Sequence, residues 1–521
     1  MVKKIRLSTL ILLLCSIIIF VSIGGFFSKG ELFNNLIVDE QIYNSYKQSL
    51  KEDIQSNIQI KFEGYELFFD EKDNRYYYSL VENNPFSHNP RIEIEKGYKV
   101  AIKGPQISDE LIKNNDTINF IIYNDKNYRE YNLTCTTLPL MNLDYDGDSF
   151  FYDDQPMFMT LFDNQKGAIN RITKSNGNVR LRGIFTAGLE KQGLRLTLLE
   201  DDWWTERDEN LLDLRRDGDW ILYAGYNDVD KVRNVFCENL WNETCSSNNL
   251  LNAHTGTEYK YLELFINNEY YGLYALCYPI DAKELKLKKD DALYQPYMNQ
   301  FEDEITYENY EIVKENMRLK FGERWDILID YYENLFDSYN KKDINAIKEI
   351  IDVDNAIDSY IFLNFIQGNE NALGSKIKNI KIAIKKEKNN YKCIYIPWDF
   401  DMSLGNSVNY DSKNNTDNYS DDYYNDYIHE YNPANLLVYL GDDSIKNKIH
   451  NRYIDLRKEK WSNENITYLI RSFESKIYGS GAYFRDMKRW PNGSYTDSDY
   501  TLKRFREYVI NRLEYLDEYY K

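Results

Sequence analysis

The stretch Ile394–Gly405, with the sequence IYIPWDFDMSLG, joins an apolar strand to two carboxylates at its end. Asp399 and Asp401 are two residues apart, so both can project from a turn toward one cation, or one of them can bind the backbone instead. Carboxylate oxygens beside substrate phosphates are ligands that Mg²⁺ prefers in proteins. Acidic pairs at strand ends also cap turns in many proteins. These residues alone leave a metal site and a structural turn as alternatives.

The segments around this stretch mix strands with helices. Residues 260–278 predict a hairpin that turns at Asn267 and Asn268. Helical spacing of apolar residues is found over 228–241, over 353–367 and in the last ninety residues. The chain is therefore β-rich first and helical later. This is the α+β order of a two-lobed kinase-like fold, although many other folds share it.

The length and charge of the chain limit its class. A chain of 521 residues predicts about two to four domains. Its formal net charge of −20 argues against nucleic acid as a partner, because such binding depends on a basic surface. Alternating apolar and polar residues between turn clusters predict a stalk and a small antiparallel all-β domain over residues 30–135. Residues 136–521 then form the large domain.

The N-terminus has the pattern of an export segment. Lys3, Lys4 and Arg6 precede the uncharged residues 8–27, which as a helix would be about 30 Å long and could span a bilayer. Because positive residues stay on the cytoplasmic side, the rest of the chain should lie outside. A cleaved signal peptide is the competing interpretation. We therefore predict residues 1–29 as a transmembrane anchor or a signal peptide. The protein is then expected to be a single-pass membrane protein with an extracytoplasmic domain, or to be exported to the cell or spore surface.

The cysteines leave two alternatives open. Cys237 and Cys245 could close a short disulfide loop in an oxidising compartment, or they could be buried free thiols. No pair has CxxC spacing, so the sequence does not support a zinc site. The HExxH, GxSxG and GxGxxG motifs are also missing from the sequence.

Several segments follow one another in an order and spacing that resemble the CotH family of spore-coat kinases. The resemblance runs from Leu138 to the C-terminus. It rests on Arg182-Gly183 with 193–198, residues 220–222 with 228–234, residues 265–274, residues 396–405, and the Arg-Trp-Pro at 489–491.

The resemblance implies an atypical two-lobed protein-kinase-like fold that binds ATP with Mg²⁺ or Mn²⁺. It also implies transfer of phosphate to serines of spore-coat or cell-surface proteins. Asp399 is similar to the family's metal-binding aspartate, and Asp401 would be a second ligand. Asn379 lies near the family's downstream asparagine and would help to hold the metal, as in the catalytic loop of kinases.

Three side chains are candidates for contact with the nucleotide. Arg195 stands where members of the family often carry lysine, which keeps the charge but replaces a compact ammonium with a broad fork. Arg182 could hold phosphate or pair with a structural carboxylate. Trp398, like Trp203 and Trp204, could stack on a ligand or belong to the core.

The catalytic position departs from the family pattern. The aspartate of the family's Asn-x-Asp element aligns with Asn371, which cannot accept a proton. Glu370 is the candidate substitute, although neighbouring side chains diverge by about 100° on a helix and point to opposite faces of a strand. Tyr278 stands where an acid is expected. Together with the N-terminal export segment, the resemblance therefore implies an extracytoplasmic serine kinase with a degenerate catalytic position. The alternative is an inactive scaffold that binds nucleotide, glycan or coat proteins.

Overall fold

The computed structural model describes most of the chain, namely residues 27–54, 58–147, 149–183, 186–296, 317–368, 371, 379–388, 390–406, 433–493 and 502–521. Two predictions lie outside these residues: the membrane anchor or signal peptide, for nearly its whole length, and the catalytic substitute Glu370. In the part of the chain that is described, no helix has the length and apolar character needed to cross a bilayer.

The N-terminal region is a two-sheet β structure with two short helices. One sheet has the strand order β1-β7-β3-β4; the other has the order β5-β6-β10-β9-β8, with β2 beside β10. The elements are β1 Glu31–Leu32, α1 Glu40–Ser49, β2 Lys51–Glu52, β3 Ile60–Phe62, β4 Tyr65–Glu66, β5 Phe68–Asp70, β6 Arg75–Ser79, β7 Arg91–Ile94, β8 Lys99–Lys103, α2 Asp109–Lys113, β9 Ile118–Tyr123 and β10 Asn127–Thr136.

Two features of this region differ from the predicted all-β antiparallel domain. Strand β10 pairs in parallel with β6 and with β2. Helices α1 and α2 are also present, because Asp39 and Ser108 cap their first turns by accepting hydrogen bonds from Ile42 N and Leu111 N.

A closed seven-stranded barrel follows the N-terminal region. Its strands are β11 Leu140–Tyr145, β12 Gln155–Phe162, β13 Ile172–Arg182, β14 Gly193–Leu199, β15 Asp219–Tyr223, β16 Lys260–Ile266 and β17 Glu269–Cys277, in the order β11-β12-β13-β14-β15-β17-β16. Helix α3, Arg233–Thr244, lies between β15 and β16 in the chain. The predicted hairpin is confirmed. It turns at Asn267 and Asn268, both with positive φ, as a two-residue turn between twisted strands requires.

A second sheet and a group of helices complete the chain. The sheet has the order β19-β18-β20-β21 and consists of β18 Ala292–Pro296, β19 Met317–Phe321, β20 Ile380–Glu387 and β21 Asn390–Pro397. The helices are α4 Asp326–Asn340, α5 Ile344–Ile350, α6 Val353–Ile366, α7 Pro433–Tyr439, α8 Asp443–Lys458, α9 Asn463–Ile477, α10 Ala482–Arg489 and α11 Lys503–Tyr519. The α+β class, with sheets first and helices later, is therefore confirmed.

The cysteines of the described residues are free and buried, Cys237 and Cys245 among them. The disulfide alternative for this pair is therefore wrong, and burial accounts for both thiols.

Arg485 on α10 joins the N-terminal region to the barrel. Its guanidinium donates two hydrogen bonds of 2.7 Å to Glu263 of β16 and one of 2.7 Å to Asn115 between α2 and β9. Beside this contact, the ring of Tyr77 from β6 stacks on Tyr270 of β17 with centroids 5.4 Å apart. Buried ionic and aromatic contacts thus connect the two parts of the structure.

Replacing Arg485 by alanine is expected to lower the free energy of unfolding by about 3–5 kcal/mol, because it leaves the fully buried carboxylate of Glu263 without its partner. Urea denaturation followed by circular dichroism measures this loss. The matched control is Arg324→Ala, which breaks an exposed pair with Asp326 and should change the free energy of unfolding far less, because water screens exposed ion pairs. Equal losses in the two variants would contradict the structural role of Arg485.

Candidate functional site

The turn that follows β21 holds its first acidic residue in an unusual backbone conformation. Asp399 has φ of 62°, in the left-handed region that residues other than glycine rarely adopt. Such a conformation costs about 1–3 kcal/mol and persists only where the surroundings enforce it. The contacts around the turn show how it is enforced.

Helix α3 binds the turn from one side. The backbone N–H of Asp399 donates to Glu238 Oε1 at 3.0 Å, and the backbone N–H of Phe400 donates to Asn234 Oδ1 at 2.7 Å. Asn234 and Glu238 are four residues apart, so they lie on one face of the helix. Arg233, the residue before Asn234, donates through Nε to the carbonyl of Leu404 at 3.2 Å. Helix α3 therefore sets the backbone of the turn at both ends.

Two asparagines bind the turn from the other side. Asn371 Nδ2 donates to the carbonyls of Trp398 at 2.8 Å and Asn379 at 2.9 Å. Asn379 Nδ2 donates to the carbonyl of Asp399 at 3.3 Å. Both partners of Asn371 are carbonyl oxygens, so the amide nitrogen and not the amide oxygen must face them. Asn371 is thus a buried hydrogen-bond donor.

Two cations flank the indole ring of Trp398. The guanidinium carbon of Arg182 is 5.8 Å from the ring centroid, and Lys381 Nζ is 5.0 Å from it. Burial disfavours the charged form of Arg182, but nearby acidic groups, Asp399 among them, raise its pKa. Burial and then the positive charge of Arg182 lower the pKa of Lys381 to about 7. The site therefore gathers positive charge beside the carboxylate of Asp399.

Glu238 has an unsatisfied carboxyl oxygen at the site, and the indole Nε1 of Trp398 is also buried without a hydrogen-bond partner in the described ranges. Glu238 is 1% exposed, and its Oε2 has no hydrogen-bond partner among the described residues. Burial raises the pKa of Glu238 to about 8, and the negative charge of Asp399 adds to this effect. A buried acceptor without a partner is costly unless a proton or a cation satisfies it. Glu238 therefore holds a proton at neutral pH, unless a nearby positive charge favours its ionised form.

Replacing Glu238 by glutamine should change how stability depends on pH. In the native protein the folded pKa is about 8, against 4.5 for an unperturbed glutamate. The folded state therefore holds an extra proton between these values, and its stability falls as pH rises from 4.5 to 8. Glutamine keeps the acceptor for Asp399 N–H and does not titrate. Relative to the native protein, the variant should gain about 3–4 kcal/mol of stability as pH rises from 5 to 8.

Urea denaturation across this pH range, in buffer with a chelator, measures the difference. The exposed Glu333 on α4 supplies the control, Glu333→Gln, whose stability curve should run parallel to that of the native protein. A parallel curve for Glu238→Gln as well would show that the carboxyl of Glu238 is ionised in the folded state.

The structure brings most of the predicted site residues together. Arg182, Trp398, Asn371 and Asn379 all surround the turn at Asp399. Asp401 lies further along the same turn, and its negative charge adds to burial in raising the pKa of the Tyr223 hydroxyl.

Arg195 is placed elsewhere. It points outward from β14 and donates to Asp219 of β15 through Nη2 at 2.8 Å and Nε at 3.3 Å. Tyr278, at the position where the resemblance predicts an acid, is buried, and the guanidinium carbon of Arg215 lies 4.4 Å from its ring centroid. Trp203 and Trp204, which the sequence left as ligand-binding or core residues, are not in the core, since they are 43% and 88% exposed.

Three residues at the turn escaped sequence reasoning. Asn234 and Glu238 sit in a helix whose apolar spacing hides them, and Lys381 lies inside the apolar strand β20. Lysine and glutamate are rarely buried without a partner, so each of them within a run of apolar residues could have indicated a functional or paired side chain.

Within the described ranges, no three Asp, Glu, His or Cys side chains converge as a metal-binding group. The predicted metal set is two carboxylates and an amide, namely Asp399, Asp401 and Asn379. That set suits Mg²⁺, which commonly takes one or two carboxylates and completes its shell with phosphate and water oxygens.

A comparison with family models matches residues 179–516 to the model described as CotH kinase protein. The match spans well over half of the 521 residues. The chain belongs to the CotH kinase family. The matched region begins in β13, contains helix α3 and the Asp399 turn, and ends in α11. No curated protein matches the chain.

Proposed function

We propose that this CotH family member is an ATP-dependent serine kinase that uses Mg²⁺ or Mn²⁺. The observation that carries the proposal is the Asp399 turn, held in a strained conformation by five side chains beside the cations of Arg182 and Lys381. The barrel with α3 would form one lobe of a kinase-like fold. The second sheet and the later helices would form the other lobe, with the turn between them.

The residues at the turn fit the groups that this reaction needs. Asp399 and Asp401, with the side-chain oxygen of Asn379, would hold the metal ion. Bound there, the metal would neutralise the charge that develops on the transferred phosphoryl group. Arg182 and Lys381 would bind phosphate oxygens, and Trp398 would supply an apolar surface between them. Arg195, the sequence candidate for this role, is engaged with Asp219 and would contribute only at a distance.

A second candidate function is a nucleotide-binding scaffold that does not transfer phosphate. One observation favours it: the Asn371 amide donates to two carbonyls, so this position offers no base to an acceptor hydroxyl. Glu370 would then have to act as the base for the kinase to function.

We further propose the setting for this activity. An N-terminal anchor or signal peptide would place the protein outside the cytoplasm, through a single membrane helix or after export. Its protein partners would be spore-coat or cell-surface proteins. The net charge of −20 supports a role that does not involve nucleic acid.

A transfer assay separates the two candidates. The full-length protein is incubated with γ-labelled ATP and Mg²⁺ or Mn²⁺, and label on serine is measured in the protein itself and in cell-surface extracts. Metal-dependent labelling supports the kinase. Nucleotide binding without labelling supports the scaffold, and the absence of nucleotide binding rejects both.

A further inference from the structure

The C-terminal end of helix α6 carries a residue in a rare backbone conformation. Gln367, which follows the last helical residue, has φ of 51° and ψ of 49°, in the left-handed region. Glycine is the usual residue just past the end of a helix, because a side chain in this conformation adds strain. In this chain glycine comes one residue later, at Gly368, and a fully buried glutamine takes the left-handed position. The side chain of Gln367 should therefore make contacts that offset the strain.

Helix α11 supplies a partner for the Gln367 side chain. The hydroxyl of Tyr508 donates to Oε1 of Gln367, and both side chains are buried. One turn further along α11, the buried guanidinium of Arg512 donates through Nε to the carbonyl of Asn364 at 3.1 Å. That carbonyl is one of the last four of α6, where a positive charge is favourable. Helix α11 therefore binds the end of α6 through two side chains.

The same end of α6 supports the Asp399 turn. The backbone N–H of Leu404 donates to the carbonyl of Ile366 at 2.8 Å. On the other side of Gln367, the backbone N–H of Asn371 donates to the carbonyl of Gly368 at 3.0 Å, and the Asn371 side chain binds the turn. The residues on both sides of Gln367 are therefore linked to the turn by hydrogen bonds.

Helix α11 also contacts helix α3, which binds the turn from its other side. The ring centroid of Phe505 lies 5.5 Å from the guanidinium carbon of Arg233 and 5.4 Å from the ring centroid of Phe236. Phe505, Tyr508 and Arg512 are spaced three and four residues apart, so they lie on one face of α11. A single face of α11 therefore contacts both of the helices that bind the turn.

We propose that Gln367 is a positioning residue of the candidate site. Through Tyr508, helix α11 fixes the end of α6, and with it the Leu404 end of the Asp399 turn. Glutamine is kept in a strained conformation because glycine would lose this contact. The consequence for metal and nucleotide rests on the proposed function, whereas the effect on the turn can be measured without either ligand.

Hydrogen–deuterium exchange of the full-length protein tests the effect on the turn. The variant is Gln367→Gly with Tyr508→Phe, which removes both partners of the hydrogen bond and gives the left-handed position to glycine. Exchange in residues 399–406 should become about ten-fold faster, because the Leu404 amide loses the fixed position of its acceptor, the Ile366 carbonyl. Exchange in the barrel strand β14 should stay as in the native protein.

The control Asn252→Gly with Tyr468→Phe makes the same kinds of change at exposed positions. Asn252 also has a positive φ, of 51°, and Tyr468 is 74% exposed. This control should leave exchange in residues 399–406 unchanged. If the double variant does not fold, Tyr508→Phe alone removes one oxygen atom and should show a smaller acceleration in the same segment. Native exchange there in a folded variant overturns the proposal. Equal acceleration in residues 399–406 and in β14 also overturns it, because the contact would then serve only global stability.

A binding measurement connects the turn to the proposed reaction. In the presence of a non-hydrolysable ATP analogue, the Mn²⁺ affinity of the double variant should fall about ten-fold, as for other residues that orient metal ligands. Accelerated exchange together with native Mn²⁺ affinity would overturn the positioning role. A native protein that binds no nucleotide would reject the kinase function, and the exchange experiment would still decide whether Gln367 fixes the turn.

Discussion

Replacing Asp399 by asparagine is expected to reduce binding of Mn²⁺, in the presence of a non-hydrolysable ATP analogue, by more than about 100-fold. Asparagine keeps the shape and the backbone contacts of the turn but removes the negative charge that the metal needs. The free Mn²⁺ concentration, followed by electron paramagnetic resonance, measures the loss. Any phosphate transfer should fall in parallel.

The same change should alter stability little. The carboxylate of Asp399 raises the pKa of the buried Glu238 and also favours the charged form of Arg182, so removing its charge relieves one unfavourable interaction and loses one favourable one. Asp290→Asn removes one negative charge from an exposed position and should leave Mn²⁺ binding unchanged. Native-like Mn²⁺ binding by Asp399→Asn would show that the turn is structural.

Replacing Asn371 by aspartate, the residue that the family resemblance predicts at this position, is expected to destabilise the protein and not to increase phosphate transfer. The side chain is 1% exposed and faces the carbonyls of Trp398 and Asn379. A carboxylate would lose both hydrogen bonds and would be repelled by both oxygens. The loss should be about 3 kcal/mol or more at pH 7, measured by urea denaturation.

The pH dependence of this loss identifies its cause. Burial against two carbonyls should raise the pKa of the introduced carboxyl above its unfolded value of about 3.9. The folded variant then holds an extra proton, so its deficit should be small near pH 4 and grow as pH rises toward 7. Asn371→Ala loses the hydrogen bonds without adding a charge, and its deficit should not depend on pH. A stable aspartate variant with increased transfer would mean that residue 371 faces the acceptor.

Asp399 and Asn371 differ in how much of their role could be predicted from the sequence. Asp399 follows an apolar strand, and the strand, the turn and the acidic residue lie within one short segment of the sequence. The pattern of that segment therefore predicts an acidic turn at the end of a strand. Asn371 was interpreted from its place in a family motif. Its actual role depends on carbonyls of residues 379 and 398, which only the fold brings to it.

The remaining differences have the same origin. Glu238 and Asn234 contact a turn more than 160 residues away in the chain, so no local pattern reveals their role. The family resemblance predicted a nucleotide contact for Arg195, but its side chain donates to a carboxylate on the neighbouring strand. The hairpin at Asn267 was predictable because its signal, two asparagines between alternating strands, is contained within one short segment.

Equilibrium binding of ATP to the full-length protein, by calorimetry with and without Mg²⁺, tests the central claim most directly. The claim is that the Asp399 turn and the cations beside it form a metal-dependent nucleotide site. It predicts binding to a single site when Mg²⁺ is present, and binding that is weaker by at least about ten-fold when a chelator removes it. No binding in either condition, or equal binding in both, would contradict the claim.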